Sequence, residues 1–352
     1  MRTAKSHLFL LATGGTIAGT APSSLQTTGY QAGILSGYDI LRSVPGLQDC
    51  AVFTCEQICN IDSKDMDETI WLTLSRRLNE ILSDPTVDGA IITHGTDTLE
   101  ETAYFLQLTV KSDKPVILTG AMRPATAISA DGPANLRQSV QTALNKETPG
   151  KGVLVVMNGQ ILDARNVTKK NANALQAFQT ANTGALGFFA GEKIHWLSQP
   201  VYRHTLRSEF ANKKLAALPS VPILYGYAGD EGQLAAAAIE AGAKGLIYAA
   251  PGNGSLSQKA EAALRHTIGG NIPAVVCSRC GNGAVTADFS RQKENLLLSG
   301  GSLLPQKARI LLQLALTRTT DANELQRIFQ EYRRIGSIMN AGRAHSRLNI
   351  FV

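Results

Sequence analysis

The chain lacks most features that mark membrane, secreted or nucleic-acid-binding proteins. Its 352 residues contain no uninterrupted apolar stretch of the roughly 18 residues needed to cross a bilayer. No five like charges stand in a row, so the net charge of +6 is dispersed. Dispersed charge argues against nucleic acid or an anionic surface as partner. A secretory signal is not expected, because Met-Arg-Thr-Ala-Lys-Ser-His leads directly into an apolar strand that cleavage would delete. Cysteine is sparse and odd in number: Cys50, Cys55, Cys59, Cys277 and Cys280. That count fits reduced thiols in a cytoplasmic protein better than a disulfide framework. Cys277-Ser278-Arg279-Cys280 has metal or redox spacing, but no second pair exists to complete a zinc site.

Familiar catalytic and phosphate motifs are missing as well. No Gly-x-Ser-x-Gly elbow accompanies His94, which reads as a structural histidine at a strand end. Gly252-Asn253-Gly254-Ser255 lacks the Gly-Lys-Ser/Thr ending of a phosphate loop. Gly14-Gly15-Thr16-Ile17-Ala18-Gly19 does not have the spacing of a dinucleotide fingerprint. Neither a metal nor a cofactor is expected.

What is present is an alternation of apolar strands and helices long enough for two domains. Strands are expected at Leu8 to Ala12, Ala51 to Ile58, Gly89 to Thr93, Pro115 to Thr119 and Gly152 to Met157. Helices are expected at Asp65 to Ser83, with Ser63 as its N-cap, at Leu99 to Val110 and at Ala134 to Leu144. A shorter series begins near Val221, with strands Pro222 to Tyr227, Gly245 to Ala249 and Ala274 to Ser278. Its helices are Leu234 to Ala241, Lys259 to Thr267, Pro305 to Leu316 and Asn323 to Tyr332. The reading is an α/β protein with a larger, doubly wound, mostly parallel N-terminal sheet and a smaller parallel α/β domain. The expected divisions are residues 1–200, a connection at 201–221, residues 222–332, and a tail at 333–352. The aperiodic stretch from Glu192 to Ser220, with Pro200 and Pro219, carries the connection.

Two threonine-centred stretches stand immediately after expected strands: Ala12-Thr13-Gly14-Gly15-Thr16-Ile17-Ala18-Gly19, and Thr93-His94-Gly95-Thr96-Asp97-Thr98-Leu99-Glu100-Glu101-Thr102. Ligands of open α/β sheets bind outside the carboxyl ends of the strands, so both threonines point to one shared site. Thr13-Gly14-Gly15-Thr16 alone would also suit a tight structural turn, and Asp97 would also suit a helix N-cap. Six further segments appear in order: Gly120-Ala121-Met122-Arg123-Pro124, Ser129-Ala130-Asp131-Gly132-Pro133, Val153 to Asn158, Asn166-Val167-Thr168-Lys169, Gly252-Asn253-Gly254-Ser255, and Pro305-Gln306-Lys307-Ala308-Arg309. Together the eight blocks resemble the bacterial L-asparaginases, in particular the type II and glutaminase-asparaginase group, from about Leu8 to Tyr332.

The resemblance implies hydrolysis of L-asparagine to L-aspartate and ammonia through a threonine nucleophile and a β-aspartyl ester. It implies Thr16 as nucleophile with Tyr30 beside it, and a second group of Thr96, Asp97 and Lys169. A hydroxyl is a poor nucleophile near neutral pH and needs such neighbours. Tyr30 lies in a glycine-flanked segment, Ser23 to Gly37, that reads as a mobile loop. Substrate contacts are implied at Gly15, Ser63, Lys64, Thr96, Asp97 and Ala121, with Ser255 reaching a neighbouring subunit's site in a homotetramer built from dimers.

Some positions depart from the family pattern. Lys64 stands where relatives carry Gln or Glu, and its cation would repel a substrate ammonium unless turned outward. The Arg279 to Leu298 segment matches poorly, leaving Asp288 or Glu294 as candidates for a cross-subunit acid. Ser112 lies in the region where exported relatives often carry a disulfide, which favours the cytoplasm over the periplasm. Alternatives to a strict asparaginase are a glutaminase-asparaginase, a non-hydrolytic amino-acid-binding relative, and an ammonia-supplying amidotransferase subunit.

Overall fold

The computed structural model describes residues 5–211, 214–268, 272–286 and 296–333. In chain order the first part contains β1 (His7–Gly14), α1 (Gly37–Arg42), α2 (Leu47–Cys50), β2 (Val52–Ile61), α3 (Glu68–Ser83), β3 (Gly89–Thr93), α4 (Leu99–Thr109), β4 (Val116–Thr119), α5 (Gly132–Leu144) and β5 (Val153–Met157). It continues with β6 (Gln160–Asp163), β7 (Val167–Lys169), β8 (Phe178–Thr180), β9 (Gly187–Ala190) and β10 (Lys193–Trp196). The second part contains β11 (Ile223–Tyr225), α6 (Gln233–Glu240), β12 (Leu246–Ala250), α7 (Gln258–Ile268), β13 (Ala274–Ser278), β14 (Leu297–Ser299), α8 (Pro305–Leu316) and α9 (Ala322–Arg333).

The large sheet runs β10-β9-β6-β5-β4-β3-β1-β2. Strands β1 to β5 are parallel, whereas β6, β9 and β10 join as antiparallel neighbours. The chain leaves β1 for β2 on one side, then returns to place β3 on the other. That reversal opens a crevice between the carboxyl ends of β1 and β3, the switch point where this class of sheet binds ligands. The second sheet, β11-β12-β13-β14, is parallel throughout, so the two-domain α/β architecture is as expected.

Several local expectations need correction. The helix expected from Asp65 starts at Glu68, and Asp67, not Ser63, caps it by accepting from the Ile70 N–H at 2.8 Å. Ser63 instead opens a separate 3-10 turn, Ser63–Asp65, between β2 and α3. Asp97 is not a cap either, because α4 begins after Thr98. Within the presumed connection, Lys193–Trp196 pairs with β9 as an edge strand of the large sheet. Its four residues were too short to show periodicity. Further along that stretch, Phe210 is buried, and the Tyr332 hydroxyl accepts from the Glu209 N–H at 2.9 Å.

The largest apolar core is continuous across both parts. Leu99, Ala103, Phe105 and Leu106 of α4 belong to one cluster with Ile310, Leu311 and Leu314 of α8 and Leu325 of α9. Helix α4 is buried on every face because sheet and α8 enclose it. Each leucine so buried stabilises the fold by about 1.5–3 kcal/mol relative to exposure. The start of α4, which follows Thr96 and Asp97, is thereby fixed between domains.

Candidate active site

The turn after β1 is built from glycine. Gly14 and Gly15 have φ of 98° and 77°, in the region that side chains disfavour. Gly15 donates its N–H to Ile61 C=O at 2.8 Å, which ties the turn to the end of β2. The chain then tightens into the 3-10 turn Thr16–Ala18, leaving Thr16 at the crevice with only 7% exposure. Thr13 Oγ1 donates to the Thr93 carbonyl at 2.9 Å and couples this turn to the end of β3.

Thr16 Oγ1 and Tyr30 Oη are 2.5 Å apart. The Tyr30 segment is tied down: Thr20 and Gln31 bridge reciprocally at 2.9 and 3.0 Å, and Ile34 donates to the Ala18 carbonyl at 2.7 Å. The Ser23 to Gly37 segment is a loop, as expected, and Gln31 and Ile34 hydrogen-bond it to the turn that carries Thr16. Burial is the main cause that raises the Tyr30 pKa; the Thr16 contact opposes it, and the carboxylates of Asp62, Asp97 and Asp131 add to it. The phenol is held protonated at neutral pH.

After β3, Thr96 is 5% exposed and accepts from Lys169 Nζ at 2.9 Å. The same ammonium meets Asp97 Oδ1 at 2.6 Å. Lys169 arrives on β7, which pairs with β8 in a separate two-stranded hairpin. Ser63 is buried, and its Oγ accepts from the Asp97 N–H at 3.1 Å while its carbonyl accepts from Thr98 Oγ1 at 2.7 Å. Thr16, Tyr30, Ser63, Thr96, Asp97 and Lys169 thus line one cleft of about 460 Å³.

Other expected site residues lie elsewhere. Lys64 does not line the cleft; its Nζ is 3.3 Å from Asp62 Oδ2 and 2.9 Å from Asp65 Oδ2, and its side chain is 64% exposed. Its cation is spent on neighbours it shares a turn with. Ala121 is fully buried and does not line the cleft, whereas its neighbours Met122 and Arg123 do, their N–H groups donating to Asp131. Ser255 lines a second cleft with Asp230, Tyr248 and Arg279 in the C-terminal domain. Asp288 and Glu294 lie outside the described residues.

The structure also adds residues that sequence reasoning passed over. Asp62, Arg123 and Asn173 line the cleft, and Glu100 donates no atom to it but accepts from the Lys169 N–H at 3.0 Å. Asp62 was detectable as the acid beside Ser63; Asn173, in a turn after β7, had no such signal. His94 is fully buried between the Gly95 carbonyl at 2.7 Å and Thr102 Oγ1 at 2.9 Å, so it acts as a structural tie. Burial lowers its pKa to about 4. Cys277 is buried and Cys280 exposed, and no three His, Cys, Asp or Glu side chains converge among the described residues.

With hydroxyl, phenol, carboxylate and ammonium gathered at the switch point, the cleft is equipped for nucleophilic attack by a hydroxyl. Comparison with known proteins agrees. Residues 7–202 match the asparaginase N-terminal family model, and residues 220–329 match the glutaminase/asparaginase C-terminal domain. The chain is 47% identical to the L-asparaginase 2 of Bacillus subtilis, over 93% of its own length and 86% of the relative. It is 44% identical to the L-asparaginase 2 of Escherichia coli, over 93% of each. The crystal structure of a probable cytoplasmic L-asparaginase from Campylobacter jejuni superposes with a TM-score of 0.90 at 44% identity, covering 93% of this chain and all of that one. The chain belongs to the asparaginase family.

Proposed function

We infer that the protein is an L-asparaginase, hydrolysing L-asparagine to L-aspartate and ammonia. The observation that carries this reading is the placement of two hydroxyl groups in one cleft, Thr16 against Tyr30 and Thr96 against Lys169. The substrate carboxylate sits at Ser63 and its ammonium at Asp97. Thr16 Oγ attacks the side-chain carbonyl carbon. Its proton passes through the Tyr30 hydroxyl to the departing nitrogen, the C–N bond breaks, and a β-aspartyl ester remains on Thr16. Water activated through Thr96 and Lys169 then cleaves the ester and returns the proton to Thr16. Backbone N–H groups near Thr96 stabilise the oxyanion, each contributing about 10²–10³ in rate by analogy with other enzymes.

The assembly in this reading is a homotetramer of dimers, in which Ser255 completes a neighbour's site. Its position in a cleft apart from Thr16 supports that role, and light scattering of the purified chain is the check. The cytoplasm is the proposed compartment, supported by five unpaired cysteines. The non-hydrolytic alternative loses one of its motives, since the Lys64 cation is ion-paired to Asp62 and Asp65 and its side chain does not line the cleft. Ammonia release from L-asparagine, with L-glutamine in parallel, tests the proposal. Turnover of asparagine supports it; binding of asparagine without ammonia release contradicts it, and the glutamine rate decides how strict the enzyme is.

A further inference from the structure

We propose that Glu100 and Gln306 act together as positioning residues for Lys169, so that the C-terminal domain aligns this lysine within its own chain. The inference rests on the proton-transfer role given to Lys169 above. Glu100 is 7% exposed and is the second residue of α4, three positions after Asp97. One carboxylate oxygen, Oε2, accepts from the Lys169 backbone N–H at 3.0 Å. The other, Oε1, accepts from Gln306 Nε2 at 2.7 Å. A buried carboxylate is costly unless both oxygens are engaged, and here one donor comes from each domain.

The next residue strengthens the grip. Lys307 is fully buried and donates to the carbonyl oxygens of Glu100 and Ala164, the latter at 2.9 Å. Ala164 immediately follows β6 and precedes the segment leading into β7 and Lys169. Arg165 Nη2 adds a third link across the domains, donating to Ser302 Oγ at 3.0 Å. The first turn of α8 therefore holds both the start of α4, beside Thr96 and Asp97, and the strand that delivers Lys169. Since Lys169 Nζ must meet Thr96 at 2.9 Å and Asp97 at 2.6 Å together, a small shift of its backbone spoils both contacts. Displacement of a catalytic group by an ångström can cost about 10²-fold in rate.

A purely structural seam would lower stability alone, so the test reads the kinetic split. Gln306→Leu in the full-length enzyme is measured beside Lys169→Met, with kcat and KM for L-asparagine, melting temperature and oligomer size. The expected result is a loss of at least roughly tenfold in kcat with KM held within about twofold, in a protein that retains the wild-type assembly. Wild-type kcat in folded Gln306→Leu overturns the inference while leaving the role of Lys169 intact. Undiminished turnover in Lys169→Met overturns the underlying reading and the inference with it. If Gln306→Leu does not fold, Gln306→Glu opposes two carboxylates and Glu100→Gln/Gln306→Glu restores a donor and acceptor pair. Loss in the first and recovery of kcat in the second support the inference; equal activity in both overturns it.

Discussion

Gly15 and Gly95 meet backbone against backbone: a Cβ on Gly15 would overlap the N and Cα of Gly95. One glycine precedes Thr16 and the other precedes Thr96, so this contact brings the two hydroxyl-bearing turns into a single cleft. On the other side, a Cβ on Gly95 would lie 2.7 Å from Ser63 Oγ. The three turns that follow β1, β2 and β3 are packed without room for a methyl group between them.

Gly15→Ala should accordingly abolish turnover and lower stability together. At φ 77° and ψ −170° a side chain costs about 1–3 kcal/mol in backbone strain before any overlap is counted. Thermal melts and ammonia release check this, and a variant with normal melting and normal kcat would contradict the close packing.

Tyr30→Phe should lower kcat by about 10²-fold, the size expected for loss of one proton-transfer group, with a smaller change in KM. The ring stays anchored because it packs on Gly19, where a Cβ would approach Tyr30 Cδ2 at 2.9 Å. Steady-state ammonia assays decide, and an unchanged kcat would remove Tyr30 from the mechanism.

Lys64→Gln should leave KM for L-asparagine within about twofold, since an exposed ion pair contributes little and this one faces Asp62 and Asp65 at the rim. A large fall in KM would mean that the cation opposes substrate binding after all.

Stability should decline as pH falls below about 6.5. Burial holds His94 at about 4 against its ordinary 6.5, and His204 is lowered to about 4 by burial and then by Arg207. Below 6.5 the unfolded chain takes up protons that the folded chain refuses, so the contribution is full above that pH and is lost on the way to 4. At about pH 5 the His94 share lost is about 2 kcal/mol. Denaturant midpoints at neutral pH and near pH 5 measure the slope, which His94→Gln should flatten.

Sequence pattern made the central strands and helices legible because they are long and apolar: Gly89–Thr93, Ala274–Ser278 and Pro305–Leu316 fall on the expected residues. Short strands held by sheet edges were not legible. Lys193–Trp196 and Phe178–Thr180 are short antiparallel strands paired with β9 and β7, and too few residues alternate in them for periodicity to register. The same holds at the site. Thr16 and Thr96 announce themselves after strands, whereas the Glu100 contact with Gln306 spans two domains and only folding brings it together. Ser63 was placed as a cap by its hydroxyl, but Asp67 stands one residue before the helix and takes that role.

The central claim is that Thr16 is the nucleophile. Purified wild-type protein and Thr16→Ala should be mixed with L-asparagine, quenched within the first turnovers and digested for mass spectrometry, with ammonia release followed in parallel. The account predicts an aspartyl ester on the Thr16 peptide of the wild type, and neither ester nor ammonia release above background from Thr16→Ala. An ester on Thr96, or undiminished ammonia release from Thr16→Ala, would contradict it.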